Sequence, residues 1–394
     1  MKPSFALILM TLALVACQPA LSTPAVESTS TTRAIPTVAI PSLTPELSPT
    51  SLFTPTIPAS VTELEGTILQ PGFSILKFAT LYRPTALTFD LNGNVLVASA
   101  DSNIYILTDN DKDGHADTQS IFASGYYIAL GLTVHPVTGE VYVSYQGAIA
   151  VLSDTDQDGK SDSSRILMEG LPSTGRHQNN NLEFGIDGWL YMGMGSTCDA
   201  CAETDARNAT IMRFNIETGE KEIYATGLRN PFDIAFHPQT GELFATDNGR
   251  DDLGLGVPQE ELNLIIQNGN YGFPNCWDSQ DAPGCEGTIP AVALFDPHSS
   301  ADGLDFYTGT QFPNEYQNNA FVGIFGSWLN PALETGVKRV ILTPQNGTYT
   351  SEVSWFVKFP KGVMPLPLQF GPDGALYVGD YINDAIYRIS YGVP

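Results

Sequence analysis

From about residue 65 the chain alternates apolar and polar positions in short runs, separated by turn residues. Six of these runs resemble one another: Ala86-Leu-Thr-Phe89, Gly131-Leu-Thr-Val134, Asn181-Leu-Glu-Phe184, Asp233-Ile-Ala-Phe236, Gly303-Leu-Asp-Phe306 and Pro367-Leu-Gln-Phe370. Five lead into a glycine-containing turn and a second alternating run. Asn92-Gly93 precedes Val95–Ala98, Asp187-Gly188 precedes Leu190–Met192, and Asp373-Gly374 precedes Leu376–Val378. A period of two with Asn-Gly or Asp-Gly between the runs predicts β-hairpins. The fifth copy is looser, with its second strand expected over Ala320–Phe325.

The last residues of the six runs lie 45, 50, 52, 70 and 64 residues apart. Units of this length, each holding several strands, define an all-β fold, a six-bladed β-propeller over residues 65–394. Ser74–Ala79 is expected to pair with the last blade and close the ring. A β-sandwich is the competing architecture, but it does not account for six similar units. No long amphipathic helical pattern is visible. Composition agrees: 36 Gly and 28 Pro supply turns, and 15% charged residues are too few for long solvated helices.

The start of the chain is of another kind. Lys2 precedes an apolar run over Phe5–Val15, which is too short to span a bilayer. It ends in Leu14-Val-Ala-Cys17, which resembles the bacterial lipobox. That resemblance implies cleavage after residue 16, lipidation of Cys17 and residence in the bacterial cell envelope on the extracytoplasmic side. Residues 17–64 are rich in Ser, Thr and Pro and bury too little apolar surface to fold, so they read as a disordered stalk. The lipid would then be the sole membrane anchor.

Net charge is −25, with 18 Lys+Arg against 43 Asp+Glu. Phosphate backbones need a basic footprint, so nucleic acid is excluded as a partner. Two acidic loops stand out within this charge. Asp109-Asn-Asp111-Lys-Asp113-Gly-His-Ala-Asp117 recurs 45 residues later as Asp154-Thr-Asp156-Gln-Asp158-Gly-Lys-Ser-Asp162. Alternating carboxylates around a glycine turn can converge on a hard cation, which predicts two calcium sites that staple loops. The other cysteines are Cys198, Cys201, Cys276 and Cys285. Their spacing suits two local disulfides, 198–201 and 276–285, in an oxidising compartment. A zinc half-site at Cys198-Asp-Ala-Cys201 is the alternative, but it lacks a second CxxC.

From Gly175 onward the similarity becomes specific. The stretches are His177–Tyr191, Gly227-Leu-Arg-Asn-Pro231, Thr240–Asp252, Glu261–Pro274, Phe306-Tyr-Thr-Gly309, Phe325-Gly-Ser-Trp328 and Gly371–Tyr377. Together they resemble the pyrroloquinoline quinone (PQQ)-dependent glucose/sorbosone dehydrogenases, six-bladed propellers of the bacterial envelope. The resemblance implies that His177 is the general base for a sugar C1 hydroxyl and that Arg229 polarises the quinone oxygen. It implies further cofactor contacts at Asn230 and Asn248, and an active-site calcium on the carbonyls of Gly249 and Arg250. The implied cofactors are PQQ and calcium, the substrate a sugar or polyol, and the electron recipient a separate envelope acceptor, since no CxxCH haem motif occurs.

The sequence also departs from that family. Basic residues expected after Gly-Ser-Trp are replaced by Leu329-Asn330, and those before the last hairpin by Met364-Pro365-Leu366. Lys338, Arg339, Lys358 and Lys361 are the candidates to compensate. A non-catalytic, calcium-stabilised propeller that binds a glycan or protein is therefore the second reading, and a calcium-dependent lactonase the third. His135 and His237 are expected to be structural residues in hairpin turns, and His298 is a candidate to line the central funnel.

Overall fold

The computed structural model describes residues 57–278, 280 and 283–393. The signal segment, Cys17 and the stalk up to residue 56 lie outside the described residues.

Each of the six repeated runs is the first strand of a four- or five-stranded antiparallel sheet. Those strands are Pro84–Phe89, Gly131–Val134, Asn179–Phe184, Pro231–Phe236, Ala301–Phe306 and Pro365–Phe370. Each packs beside the next, and the sixth packs beside the first, so they form the inner ring of a six-bladed propeller. The second strands are Val95–Ser99, Val141–Tyr145, Trp189–Met194, Leu243–Asp247, Ala320–Ile324 and Leu376–Asp380, all but the fifth following a predicted turn. Gly188 in the third hairpin has φ 77°, a left-handed conformation that explains why glycine stands there. Helix is confined, among the described residues, to one 3₁₀ turn at Asn314–Tyr316.

The ring is closed by the N-terminal segment. Phe73–Thr80 pairs antiparallel with Ala385–Tyr391, the last strand of blade six, while Ile68–Leu69 adds an outer strand to blade five. This closure starts earlier than the expected boundary at residue 65. Val61 accepts a bond from the Ile75 amide at 2.9 Å, Glu63 donates to the Ile75 carbonyl at 3.0 Å, and Leu64 packs on the core. Val61 joins through its backbone and Leu64 through its side chain, so these residues belong to the propeller and not to the stalk.

The core lies between blades. At the closure, Phe73 meets Phe312, Tyr316, Phe356 and Tyr391 edge-on, with ring centroids 4.7–5.3 Å apart. Such contacts contribute beyond area burial alone. Inner strands leave one edge open towards the axis, and their amides need partners. Polar side chains from the following or preceding inner strand supply several. Asn181 accepts from Leu132 (3.2 Å), Asp233 from Leu304 (2.8 Å) and Asp305 from Phe370 (2.7 Å).

Candidate active site

Antiparallel blades sort their loops between two faces. Loops entering each inner strand and loops joining second to third strands share one face, here the upper face. Hairpins joining first to second strands and third to fourth strands share the lower face. His177 precedes the inner strand of blade three and Arg229 that of blade four, so both are on the upper face. Asn248, Gly249 and Arg250 follow the second strand of blade four and join them there. Cys198 and Cys201 lie between the second and third strands of blade three, also above the ring, and are disulfide-bonded; so are Cys276 and Cys285.

The backbones interlock. His177 donates from its amide to the Ser196 carbonyl (3.1 Å), and Ser196 donates to the Arg229 carbonyl (2.7 Å). Gly195 is required between them, because a Cβ there would come within 2.3 Å of the His177 Cβ. The His177 ring places Nδ1 3.0 Å from the Ser196 hydroxyl. Burial first, and then the positive charges of Arg229 and Arg176, push its pKa down to about 3, so the imidazole is neutral at working pH.

Arg229 is buried. Its Nε and Nη2 bond the backbone and carboxylate of Asp199 (3.0 and 2.6 Å), Nη2 also meets Asp251 (3.1 Å), and Nη1 bonds the Asn248 carbonyl (3.0 Å). Arg176, half exposed, reaches Asp251 in a close contact and lies 3.5 Å from Asp199. Two guanidiniums and two carboxylates therefore form one network. Asp247 lies under the loop and accepts from the Arg229 and Asn230 amides at 3.0 and 2.6 Å. Burial raises its pKa to about 7. Asn230 accepts from Asn180 (2.9 Å), and Asn248 donates to Asp302 (2.7 Å) while its own Oδ1 is buried without a partner. The Gly249 amide bonds Glu260 (2.7 Å), and the Arg250 side chain turns to Asp252 and the Pro274 carbonyl.

Asp199, Asp251 and Ser196 were not singled out from sequence. Asp199 was hidden between two cysteines, and Asp251 followed Arg250 inside a stretch quoted only for its family likeness. His298 sits at the rim of the network, buried, with Nε2 2.8 Å from the Gly254 carbonyl and Nδ1 3.4 Å from Asp251. His135 and His237 each accept turn amides at Nδ1, the structural part expected of them.

Of the neutral positions, Leu329, Asn330 and Met364 lie in upper-face loops, and Pro365 and Leu366 open the inner strand of blade six. Met364, with Trp328, Leu333 and Val363, lines an upper-face cavity of about 580 Å³ between blades five and six. Of the four candidate compensating cations, Lys361 lines it. Lys338 stacks on Trp355 near Asp296, Lys358 pairs with Glu334, and Arg339 bonds Asn319.

The two acidic loops are on the lower face, each joining third to fourth strands in blades one and two. Carboxylate oxygens of Asp109, Asp111 and Asp117 come within 4.8 Å of one another, as do those of Asp154, Asp156 and Asp162. Asp113 and Asp158 lie outside these two groups; they accept from the His115 and Lys160 amides of their own turns at 2.9 Å. Each loop also reaches a neighbouring unit. Ala116 donates to Phe78 of the closing strand (2.8 Å), and Ser161 donates to Phe122 of blade one (2.9 Å).

This architecture defines a six-bladed propeller with a histidine–arginine cluster on one face and acidic loops on the other. The chain belongs to the family described as a domain of unknown function (DUF7133), whose model matches residues 69–389. An uncharacterised protein of Borreliella burgdorferi is 26% identical over 359 residues, covering 84% of this chain and 92% of the other. The aldose sugar dehydrogenase YliI of Escherichia coli is 26% identical over 233 residues, covering 52% and 57% respectively, so the match spans little more than half of that enzyme. Among solved structures, the holo form of the PQQ domain of a pyranose dehydrogenase from Coprinopsis cinerea superposes with a TM-score of 0.71. It covers 84% of this chain and 99% of the other at 16% identity, a likeness of fold. The resemblance to the PQQ-dependent dehydrogenase propellers thus holds for the architecture.

Proposed function

We propose that the protein is a PQQ- and calcium-dependent dehydrogenase that oxidises a sugar or polyol hydroxyl, with His177 as the base. The observation that carries this reading is the convergence of a neutral, half-buried imidazole with Arg229 and Arg176 on one face of the ring. A base must be unprotonated to accept the hydroxyl proton, and burial, with the adjacent cations second, holds His177 in that form.

The residues present fit a quinone carboxylate on the blade three–four side. The donors on that side are the guanidiniums of Arg229 and Arg176 and the side-chain amide nitrogens of Asn230 and Asn248, the last already shared with Asp302 (2.7 Å). Arg229, Arg176, Asn230 and Asn248 would hold the cofactor, with Gly249 and Arg250 offering carbonyls to calcium. The bound quinone would accept the hydride equivalent from the sugar carbon. Arg229 is anchored by the Asn248 carbonyl and by Asp199 and Asp251, so its charge is fixed in place before substrate arrives. His177 takes the hydroxyl proton. Electrons leave to a separate envelope acceptor. Lipidation at Cys17 would hold the domain at the membrane on its stalk.

One observation favours the second reading, a propeller that binds a glycan or protein without catalysis. Asp199 and Asp251 already neutralise Arg229, and Leu329, Asn330, Met364 and Leu366 are uncharged. The deciding experiment adds PQQ and calcium to the purified protein and measures dye reduction across a panel of aldoses and polyols. Sugar-dependent reduction that is lost in His177→Ala supports the dehydrogenase. No reduction by folded, PQQ-loaded protein removes it.

A further inference from the structure

We infer that Ser196 is a positioning residue that fixes His177 as the Nδ1–H tautomer and so leaves Nε2 as the proton-accepting nitrogen. The inference rests on the reading of His177 as the base. It follows from hydrogen-bond direction. The Ser196 Oγ lies 2.7 Å from the Cys198 carbonyl and 3.0 Å from His177 Nδ1. A carbonyl only accepts, so the single hydroxyl proton of Ser196 goes to Cys198. The hydroxyl oxygen is then an acceptor towards the ring, and Nδ1 must carry the ring proton. A neutral imidazole has one N–H, so Nε2 holds the lone pair.

Every part of this relay is held in place. Ser196 is fully buried, and its amide is fixed to the Arg229 carbonyl. The Cys198 carbonyl belongs to a loop tied by the Cys198–Cys201 disulfide. Glu203 clamps the same loop through the Thr197 amide (2.8 Å) and hydroxyl (2.6 Å). The charged groups around the ring are Arg229 and Arg176, which disfavour a second proton on it, and Asp199, which favours one. With the ring held neutral, orientation of its single proton is what remains to be set, and Ser196 sets it. Asp199 lies one residue beyond Cys198, so the loop that orients the base also meets Arg229.

The test reads the tautomer directly. Protein labelled with ¹⁵N-histidine is recorded by two-bond ¹H–¹⁵N correlation near neutral pH without cofactor, and His177 is assigned from the signal missing in His177→Gln. The wild type should show Nδ1–H. Ser196→Ala should shift His177 to Nε2–H or to a mixture, while His115, His135, His237 and His298 keep their signals and so report an intact fold. Ser196→Thr, which keeps the hydroxyl, should restore Nδ1–H. Turnover of the PQQ-loaded protein should fall roughly 10²-fold in kcat for Ser196→Ala with KM for sugar little changed, the share that a correctly protonated base contributes. Nε2–H in the wild type, or an unaltered tautomer in a folded Ser196→Ala protein, overturns the inference. Because the tautomer is read without cofactor, an Nδ1–H signal in a protein that never reduces dye would sink the proposed activity and leave the relay standing.

Discussion

At the scale of single residues, the upper-face cluster is a contest between charges of both signs around one neutral ring. Burial and two arginines hold the His177 pKa at about 3, below the 6.5 of a free imidazole. The rate should therefore keep its full value as pH falls from 7 to 5, where an ordinary histidine base would lose most of its active form. Arg176→Ala removes one of the charges that lower this pKa and should move the acid limb upward. A kcat/KM profile of dye reduction against pH checks both, and a wild-type limb near pH 6.5 would contradict the cluster's electrostatics. The same contest affects the cofactor. Asp199 and Asp251 pair with Arg229 at 2.6 and 3.1 Å and would face an anionic quinone. Asp251→Asn should tighten PQQ binding about 5- to 10-fold, on the order of the 1 kcal/mol expected for one screened charge a few ångströms away. A PQQ titration followed by absorbance measures the shift.

At the scale of strands and loops, equivalent positions in successive blades explain both what the sequence disclosed and what it withheld. The first two strands were legible in five of the blades, and more loosely in blade five, because period-two alternation and a glycine turn are local signals. The closing strand was legible for the same reason, as Ser74–Ala79 within the observed Phe73–Thr80. His177 and Arg229 each lie four residues before the repeated run of their blade, an equal offset that puts them on one face. Asp199, Asp251 and Ser196 escaped because their roles depend on contacts across loops whose paths carry no periodicity. The start of the propeller escaped because Val61–Leu64 pairs through the backbone, which leaves little trace in side-chain type. The acidic loops are legible in pattern, and their geometry assigns them a task. Each ties its blade to the unit before it on the lower face, away from His177. Asp111→Ala combined with Asp156→Ala should lower the melting temperature measured in calcium, shrink the further drop caused by chelator, and leave PQQ affinity near wild type. Loss of turnover in the fully folded double variant would instead connect these loops to the upper face. Among inner strands, Asp233 accepts from Asn181 (2.5 Å) and from the amides of Ile234 and Leu304 (both 2.8 Å). Asp233→Ala should cost about 1–3 kcal/mol for each buried donor left without a partner, read from urea unfolding.

At the scale of the whole molecule, the ring gathers carboxylates where water is scarce. Burial raises Asp233 to about 6, Asp247, Asp302 and Asp305 to about 7, and Glu183 and Glu261 to about 8, and pushes Glu260 well up. Glu183 is raised further by Asp305 and Asp233, so the three act together at the centre. A carboxyl whose folded pKa exceeds its unfolded value keeps its proton longer in the native state. Its contribution to stability is full below the unfolded pKa, near 4, and is lost as pH rises through the folded pKa. For these groups the window runs from about pH 4 to 8. His177 has the opposite sign: its folded pKa is lowered, so it destabilises the native state only as pH falls from about 6.5 towards 3. Between pH 6.5 and 8.5 the carboxyls act without that opposition. The melting temperature measured in chelator, which removes any calcium contribution from the lower-face loops, should therefore fall across this interval. Asp305→Asn keeps an acceptor for one of the two amides that Asp305 serves, at Phe306 and Phe370, and removes a titrating proton. That variant should show a shallower fall than the wild type. A melting temperature that rises from pH 6.5 to 8.5, or a slope unchanged in Asp305→Asn, would mean that the central carboxyls are already ionised in the native ring and that their amide bonds outweigh their burial.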